Sequence, residues 1–78
     1  MAEENFKKAL FSRFARVAKA MSSGHRMELL EFLAQTKRSV EELARLSGLT
    51  VANTSQHQQQ LRQAGLVTSR KAGQKVFY

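Results

Sequence analysis

The chain has 78 residues, with 13 Lys and Arg against 6 Asp and Glu, a formal net charge of +7 and no cysteine. That length holds one small domain, which buries only about 60% of its unfolded surface and so gains from a partner. Without cysteine there is neither a disulfide framework nor a thiolate metal site, and no apolar run approaches the ~18 residues that mark a membrane span. Glu3 and Glu4 precede an amphipathic segment rather than an apolar core. The N-terminus therefore does not read as a signal peptide, and a cytoplasmic protein is the expectation.

Residues 4–21 read as a first helix. Phe6, Leu10, Phe14, Val17 and Met21 form one stripe, which Phe11 and Ala18 widen. Lys8, Ser12, Arg16 and Lys19 make up the opposite face. The apolar arc spans roughly 140°, wider than the roughly 100° stripe of a helix lying on one core. Two partners explain it most simply, the helix's own domain and a second copy of the chain. Phe6, Leu10, Phe14 and Val17 are thus the expected dimerisation residues. Deep burial in a single core and binding to a membrane surface are the alternatives.

Ser22-Ser23-Gly24 breaks the pattern. Ser23 is placed to cap a second helix through about residue 34, with Met27, Leu30 and Leu33 inward and Leu29 and Phe32 broadening the apolar side. Residues 35–38 form a polar, partly basic loop. Ser39 followed by Glu42 then reads as a capping box, in which hydroxyl and carboxylate each take a free backbone N–H. Leu43, Ala44 and Leu46 give a short apolar face, and Gly48 supplies the turn that ends this third helix.

Thr50 is a natural N-cap for a fourth helix over 51–64. Helix, tight turn containing Gly, helix is the layout of a helix-turn-helix, here spanning 39–64. At roughly 100° per residue, Val51, Thr54, Gln58 and Leu61 share the side that must face the protein. Ala52, Asn53, Gln56, Gln59, Gln60 and Gln63 share the other. A merely solvated helix face usually carries Lys and Glu in i,i+4 pairs. Amides can donate to and accept from one base edge, as in bidentate pairing with adenine. Gln is also a good helix former, so a solvated Gln-rich helix is the plainer alternative.

Gly65 ends this helix, and 66–70 and 75–78 read as two strands joined by Lys71-Ala72-Gly73-Gln74. The hairpin follows the fourth helix directly and is placed like a wing, over 66–78, with Arg70, Lys71, Gln74 and Lys75 as expected contacts along neighbouring phosphates or the minor groove; an ordinary hairpin with solubilising lysines is the plainer alternative. From residue 43 onward there are five basic residues (Arg45, Arg62, Arg70, Lys71 and Lys75) and no acidic one. One half of the chain is thus built to approach a polyanion. An anionic membrane would want apolar residues beside those charges, and the outward face of 51–64 lacks them.

Asn53, Gln56 and Gln60 are the expected base contacts. Thr50, Thr54 and Ser55 are candidate phosphate donors near the helix N-terminus, where the dipole also favours anions. Thr54 has half-buried packing as its alternative. His57 lies on the flank, suited to a phosphate or base contact or equally to packing. His25 and His57 are the only histidines, far apart in sequence and unaccompanied by cysteine, so metal binding is not expected and no cofactor is implied. The serines stand without a His/Asp constellation, and neither a carboxylate pair nor a Gly-rich phosphate loop occurs. Nothing here supports catalysis.

The residues SSGHRMELLEFL at 22–33, SVEELARLSGLT at 39–50, SQH at 55–57, LRQAGLV at 61–67 and RKAGQKVFY at 70–78 together resemble the ArsR-type family of bacterial winged-helix repressors. The resemblance covers nearly the whole chain in the expected order. It implies a mainly α fold with a small β-hairpin, a winged helix-turn-helix occupying 1–78. It also implies a homodimeric repressor that binds a double-stranded operator with dyad symmetry and releases it on binding an inducer. Three departures stand out. The family's thiolate sensing site would use cysteines near 43–50, where Leu43, Ala44, Leu46 and Ser47 stand. Family members usually continue past the wing into a further dimer-supporting helix, whereas this chain stops at Tyr78, so the segment reads as a fragment and any sensor site or additional domain would lie outside it. The family usually places Leu after SQH, where this chain has Gln58, on the side of the helix that faces the protein. A winged-helix module that docks on another protein through the same amide face is the alternative from a different functional class.

Overall fold

The computed structural model describes residues 2–72 and 75–78, the Lys75 side chain excepted. Four helices come first: α1 (Ala2–Met21), α2 (Gly24–Gln35), α3 (Val40–Ser47) and α4 (Val51–Gln63). A two-stranded antiparallel hairpin follows, β1 (Arg70–Ala72) and β2 (Lys75–Phe77). The architecture is the mainly helical winged helix-turn-helix that the sequence predicts.

Local side-chain chemistry sets the helix boundaries. Ser23 accepts from the Arg26 N–H at 3.3 Å, Ser39 from the Glu42 N–H at 3.1 Å, and Thr50 from the Asn53 N–H at 3.0 Å. Each takes one of the backbone donors that a helix start leaves unpaired. The capping box at Ser39 is half formed. The Glu42 carboxylate does not reach back; it pairs with Arg38 at 3.3 Å and lies 4.0 Å from Arg45. Gly48 (φ +71°) closes α3, and its N–H donates to the Ala44 carbonyl. Gly65 (φ +79°) closes α4 in a Schellman turn: Gly65 N–H donates to Arg62 O and Leu66 N–H to Leu61 O, both at 3.0 Å.

The core lies where α1's C-terminal end, α2, α3 and α4 converge, around Leu29, Leu43 and Leu61, with Ala20 and Ala64 sealing it. Val17, Leu30, Phe32, Leu33, Leu66, Val67 and Tyr78 pack against that centre, half-buried. Three expected inward residues are corrected. Val51 is 48% exposed, and Met27 and Leu46 are also exposed, while Leu29 on α2 and Val40 on α3 are buried instead. Position on a wheel gives an angle, but only the packed neighbours decide how far around a helix the burial extends.

The strands are shorter and later than expected. Leu66 and Val67 turn back onto the core straight after the Schellman turn, so β1 starts only at Arg70. Lys71 and Ala72 are strand residues rather than loop, opposite Val76 and Lys75. The other two residues of the expected 71–74 loop, Gly73 and Gln74, lie outside the described residues. The hairpin is tied to the body by a bridge between Ser39 and Phe77. Arg38 and Tyr78 exchange backbone hydrogen bonds there, at 2.9 and 3.3 Å. This isolated bridge ties the hairpin to the segment that leads into α3.

Candidate nucleic-acid interface

The outward face of α4 is as the wheel predicts: Ala52, Asn53, Gln56, Gln59, Gln60 and Gln63 are all exposed. The opposite face is dry, with Thr54, Gln58 and Leu61 all fully buried. The face that meets solvent therefore offers amides and no carboxylate. Thr50 stands exposed at its N-terminus. Its hydroxyl oxygen accepts from Asn53 N–H, which leaves the hydroxyl proton free to donate outward. Ser55 is half-buried on the flank.

Thr54 is corrected as a DNA-facing candidate. Its side chain is fully buried, and its hydroxyl donates to the Thr50 carbonyl at 2.8 Å. It packs within the domain and buttresses the first turn of α4, out of reach of any ligand.

His57 is half-buried and held by Arg26, a residue that the sequence pattern does not single out. The Arg26 guanidinium is buried and makes three contacts: Nε donates to the Ala20 carbonyl at 2.7 Å, Nη2 to the Lys19 carbonyl at 3.2 Å, and Nη1 lies 3.3 Å from His57 Nδ1. A guanidinium carries donors only, so His57 Nδ1 accepts, and the neutral ring keeps its proton on Nε2. Burial pushes the His57 pKa below the usual histidine value, and the charges of Arg26 and then His25 push the same way. At neutral pH α4 thus carries an uncharged Nε2–H donor beside its amides. Arg26 joins the last turn of α1 to the middle of α4. The signal in the sequence is an Arg just after a helix end whose final carbonyls need donors.

His25 and His57, distant in sequence, have ring centroids 5.7 Å apart. Among the described residues no group of three or more His, Cys, Asp or Glu is assembled that would hold a metal ion. Arg38, a second half-buried Arg, is structural as well. It donates to the Phe32 carbonyl at 3.1 Å, to Glu42 at 3.3 Å and to Gln35 at 2.8 Å, which locks the α2–α3 loop.

On the wing, Arg70 and Lys71 are exposed on β1. Gln74 and the Lys75 side chain, the other two expected wing contacts, lie outside the described residues. Of the expected dimerisation residues, Phe6 is 69% and Phe14 66% exposed, Leu10 is exposed, and Val17 is half-buried where α1 reaches the core. The apolar stripe of α1 thus lies open along most of its length. Among the described residues no helix is long and apolar enough to cross a membrane.

This arrangement matches known proteins closely. The chain is 39% identical over 72 residues to the HTH-type transcriptional regulator Rv0324 of Mycobacterium tuberculosis, which covers 92% of this chain and 32% of that one. It is 42% identical over 60 residues to the transcriptional activator HlyU of Vibrio cholerae, covering 77% of this chain and 56% of HlyU. The chain therefore spans about a third and about half of these two relatives. The solution structure of the homodimeric winged helix-turn-helix DNA-binding domain Mb0332 (fragment 1–100) of Mycobacterium bovis superposes with a TM-score of 0.88. It is 39% identical, and the match covers 92% of this chain and 67% of that one. The family model for bacterial regulatory proteins of the arsR family matches residues 23–69, from the cap of α2 to the foot of the wing, and the chain belongs to that family.

Proposed function

We propose that this chain is the DNA-binding domain of a cytoplasmic transcriptional regulator with no catalytic activity, working as a homodimer on an operator with dyad symmetry. In this reading α4 enters the major groove, which admits one helix. Asn53, Gln56 and Gln60 read base edges, and Thr50, Ser55 and the Nε2–H of His57 donate to phosphates or base acceptors along the flank. Arg70 and Lys71, with Gln74 and Lys75, lie along the adjoining backbone. The apolar face of α1, through Phe6, Leu10, Phe14 and Val17, joins two copies and sets the separation of the two recognition helices. Regulation is repression relieved by an inducer that binds outside this segment. A relative named an activator is compatible with this, because one way of binding DNA serves either sign of regulation, according to where the operator lies.

The observation that carries the reading is the exposed amide face of α4, free of carboxylates and set in a half-chain with five cations and no acid. The test is an electrophoretic mobility shift with a salt titration. Log affinity should fall linearly with log salt, at about 0.9 per phosphate neutralised. Gln56→Ala should lower operator affinity by about 1–3 kcal/mol and relax preference at one position, leaving random DNA unaffected. Equal losses on operator and random DNA would sink the base-readout assignment. Salt-insensitive binding, or none, would point to docking on protein instead.

A further inference from the structure

At the edge of the amide face lies a second, basic surface. The C-terminal half of α1 and the last turns of α4 enclose two adjoining clefts of ≈ 290 and ≈ 230 Å³. Arg16, Lys19 and Ala20 line the first with Gln60 and Gln63; Arg13 and Arg16 line the second with Gln63, Ala64 and Gly65. Gln60, one of the expected base-contacting amides, forms part of the wall. The cleft is therefore continuous with the edge of the recognition face.

Its charge is one-sided. Arg13, Arg16 and Lys19 follow one another at i,i+3 spacing, where like charges are neighbours and repel. A solvated helix face relieves this with acids at i±3 or i±4, and none stands at those positions around Arg16 or Lys19. The acids of α1, Glu3 and Glu4, sit in its first turn, roughly 18 Å away along the axis at about 1.5 Å per residue. Among the described residues the ion pairs are confined to Arg38, Arg45 and Glu42. Three exposed cations thus gather in a concave site, with no ion pair among the described residues, along the edge of the amide face of α4.

Resting on the DNA-binding reading, we propose that this cleft holds the phosphodiester backbone flanking the base pairs read by α4, so that α1 is a second DNA-contacting element. Arg16 and Lys19 neutralise two phosphates there, and Gln63 donates to the same backbone, while Gln60 at the rim stays with the base edges. Arg26 fixes the geometry by bonding the Lys19 and Ala20 carbonyls and so clamping this turn of α1 against α4. The apolar stripe of the same helix points elsewhere, which leaves it for the second copy.

The experiment uses the whole chain and a fluorescein-labelled duplex of arbitrary sequence, three helical turns long, in an anisotropy titration at several salt concentrations. The double variant Arg16→Gln/Lys19→Gln should lower the log–log salt slope by roughly 2, at about 0.9 for each phosphate no longer neutralised. Lys8→Gln, on the same polar face but away from the cleft, should leave the slope unchanged. The charge-conserving pair Arg16→Lys/Lys19→Arg should retain the wild-type slope, which separates charge from any effect on folding. An unchanged slope in the Gln double variant, while the wild type binds, overturns the cleft and leaves the recognition-helix reading intact. A per-charge decrease for Lys8→Gln equal to that in the double variant overturns it too, by assigning the effect to overall charge. A wild type without salt-dependent binding overturns the DNA-binding reading itself.

Discussion

Gln58→Leu should stabilise this domain. Gln58 is fully buried in the middle of α4, four residues after Thr54 and three before Leu61, and both share its face. Neither Oε1 nor Nε2 has a hydrogen-bond partner among the described residues. Leaving a buried polar group unpaired costs about 1–3 kcal/mol, while burying a Leu in its place gains about 1.5–3 kcal/mol of apolar transfer. The two do not simply add, because Leu branches one atom earlier than Gln and does not fill the whole of its space, and the unfolded chain already buries some apolar surface. A net gain of about 1–3 kcal/mol is expected. For a domain of this size each kcal/mol moves the thermal midpoint by about 4–8 °C. The assay is thermal unfolding of both versions at one protomer concentration, because association makes the midpoint depend on concentration. Operator affinity is measured alongside at one fixed salt concentration, and it should be kept or improved because the outward amides are untouched. An unchanged or lower midpoint would refute the reasoning, since it would mean that Gln58 is satisfied in the folded protein. A higher midpoint with collapsed affinity would move Gln58 to the DNA-facing set.

Other perturbations test separate features of the molecule. Leu10→Glu/Phe14→Glu should give monomers in light scattering while the far-UV circular dichroism is kept, because both side chains are exposed in the single chain; a persistent dimer would place the interface elsewhere. Lys71→Ala should weaken operator and random DNA alike and lower the salt slope by about one unit, as a phosphate contact requires. His57 has a folded-state pKa below its unfolded value, so as pH falls through the usual histidine range the unfolded chain takes up the proton first, and stability is lost. His57→Gln should remove that part of the pH dependence, seen as a shallower fall of the thermal midpoint between neutral and mildly acidic pH; identical slopes would refute it. Arg26→Met should cost about 1–3 kcal/mol in chemical denaturation, by leaving the Lys19 and Ala20 carbonyls without their donor; an unchanged midpoint would show that water replaces the guanidinium at no cost.

What can be read from the chain alone follows the range of the forces involved. The caps at Ser23, Ser39 and Thr50 and the left-handed glycines at 48 and 65 act within one turn of backbone, and the sequence states them directly. The two faces of α4 are legible as well beyond its first turn, where Val51 is exposed, because the backbone sets the period of 3.6. Leu66 and Val67 mislead because an apolar pair after a helix reads as the start of a strand. The Schellman turn instead delivers them to the core. Arg26 and Arg38 are invisible to hydropathy, which places every Arg in water. Their burial depends on carbonyls supplied by other segments, Lys19 and Ala20 for the one and Phe32 for the other. Val51, Met27 and Leu46 point inward by angle, yet this small core does not extend far enough to cover them.

The same economy of scale explains why α1 carries two different surfaces. Of its 20 residues, α1 commits only the last turns to the core of the described residues, through Val17 and Ala20. The remaining turns project an apolar stripe that a second copy would cover and a basic edge that runs beside α4. Arg26 connects these roles physically. It holds the end of α1 through two carbonyls and α4 through His57, across 31 residues of sequence. A displacement of α1 in a dimer would therefore be carried by one buried guanidinium to α4, the helix proposed to face the DNA. Arg26→Met should then do more than destabilise. If the clamp sets how α4 is presented, the variant should lose affinity for a complete operator more than for an isolated half-site, where relative placement of the two helices does not matter. Parallel losses on both would reduce Arg26 to a helix-end donor, with no part in aligning the two recognition helices.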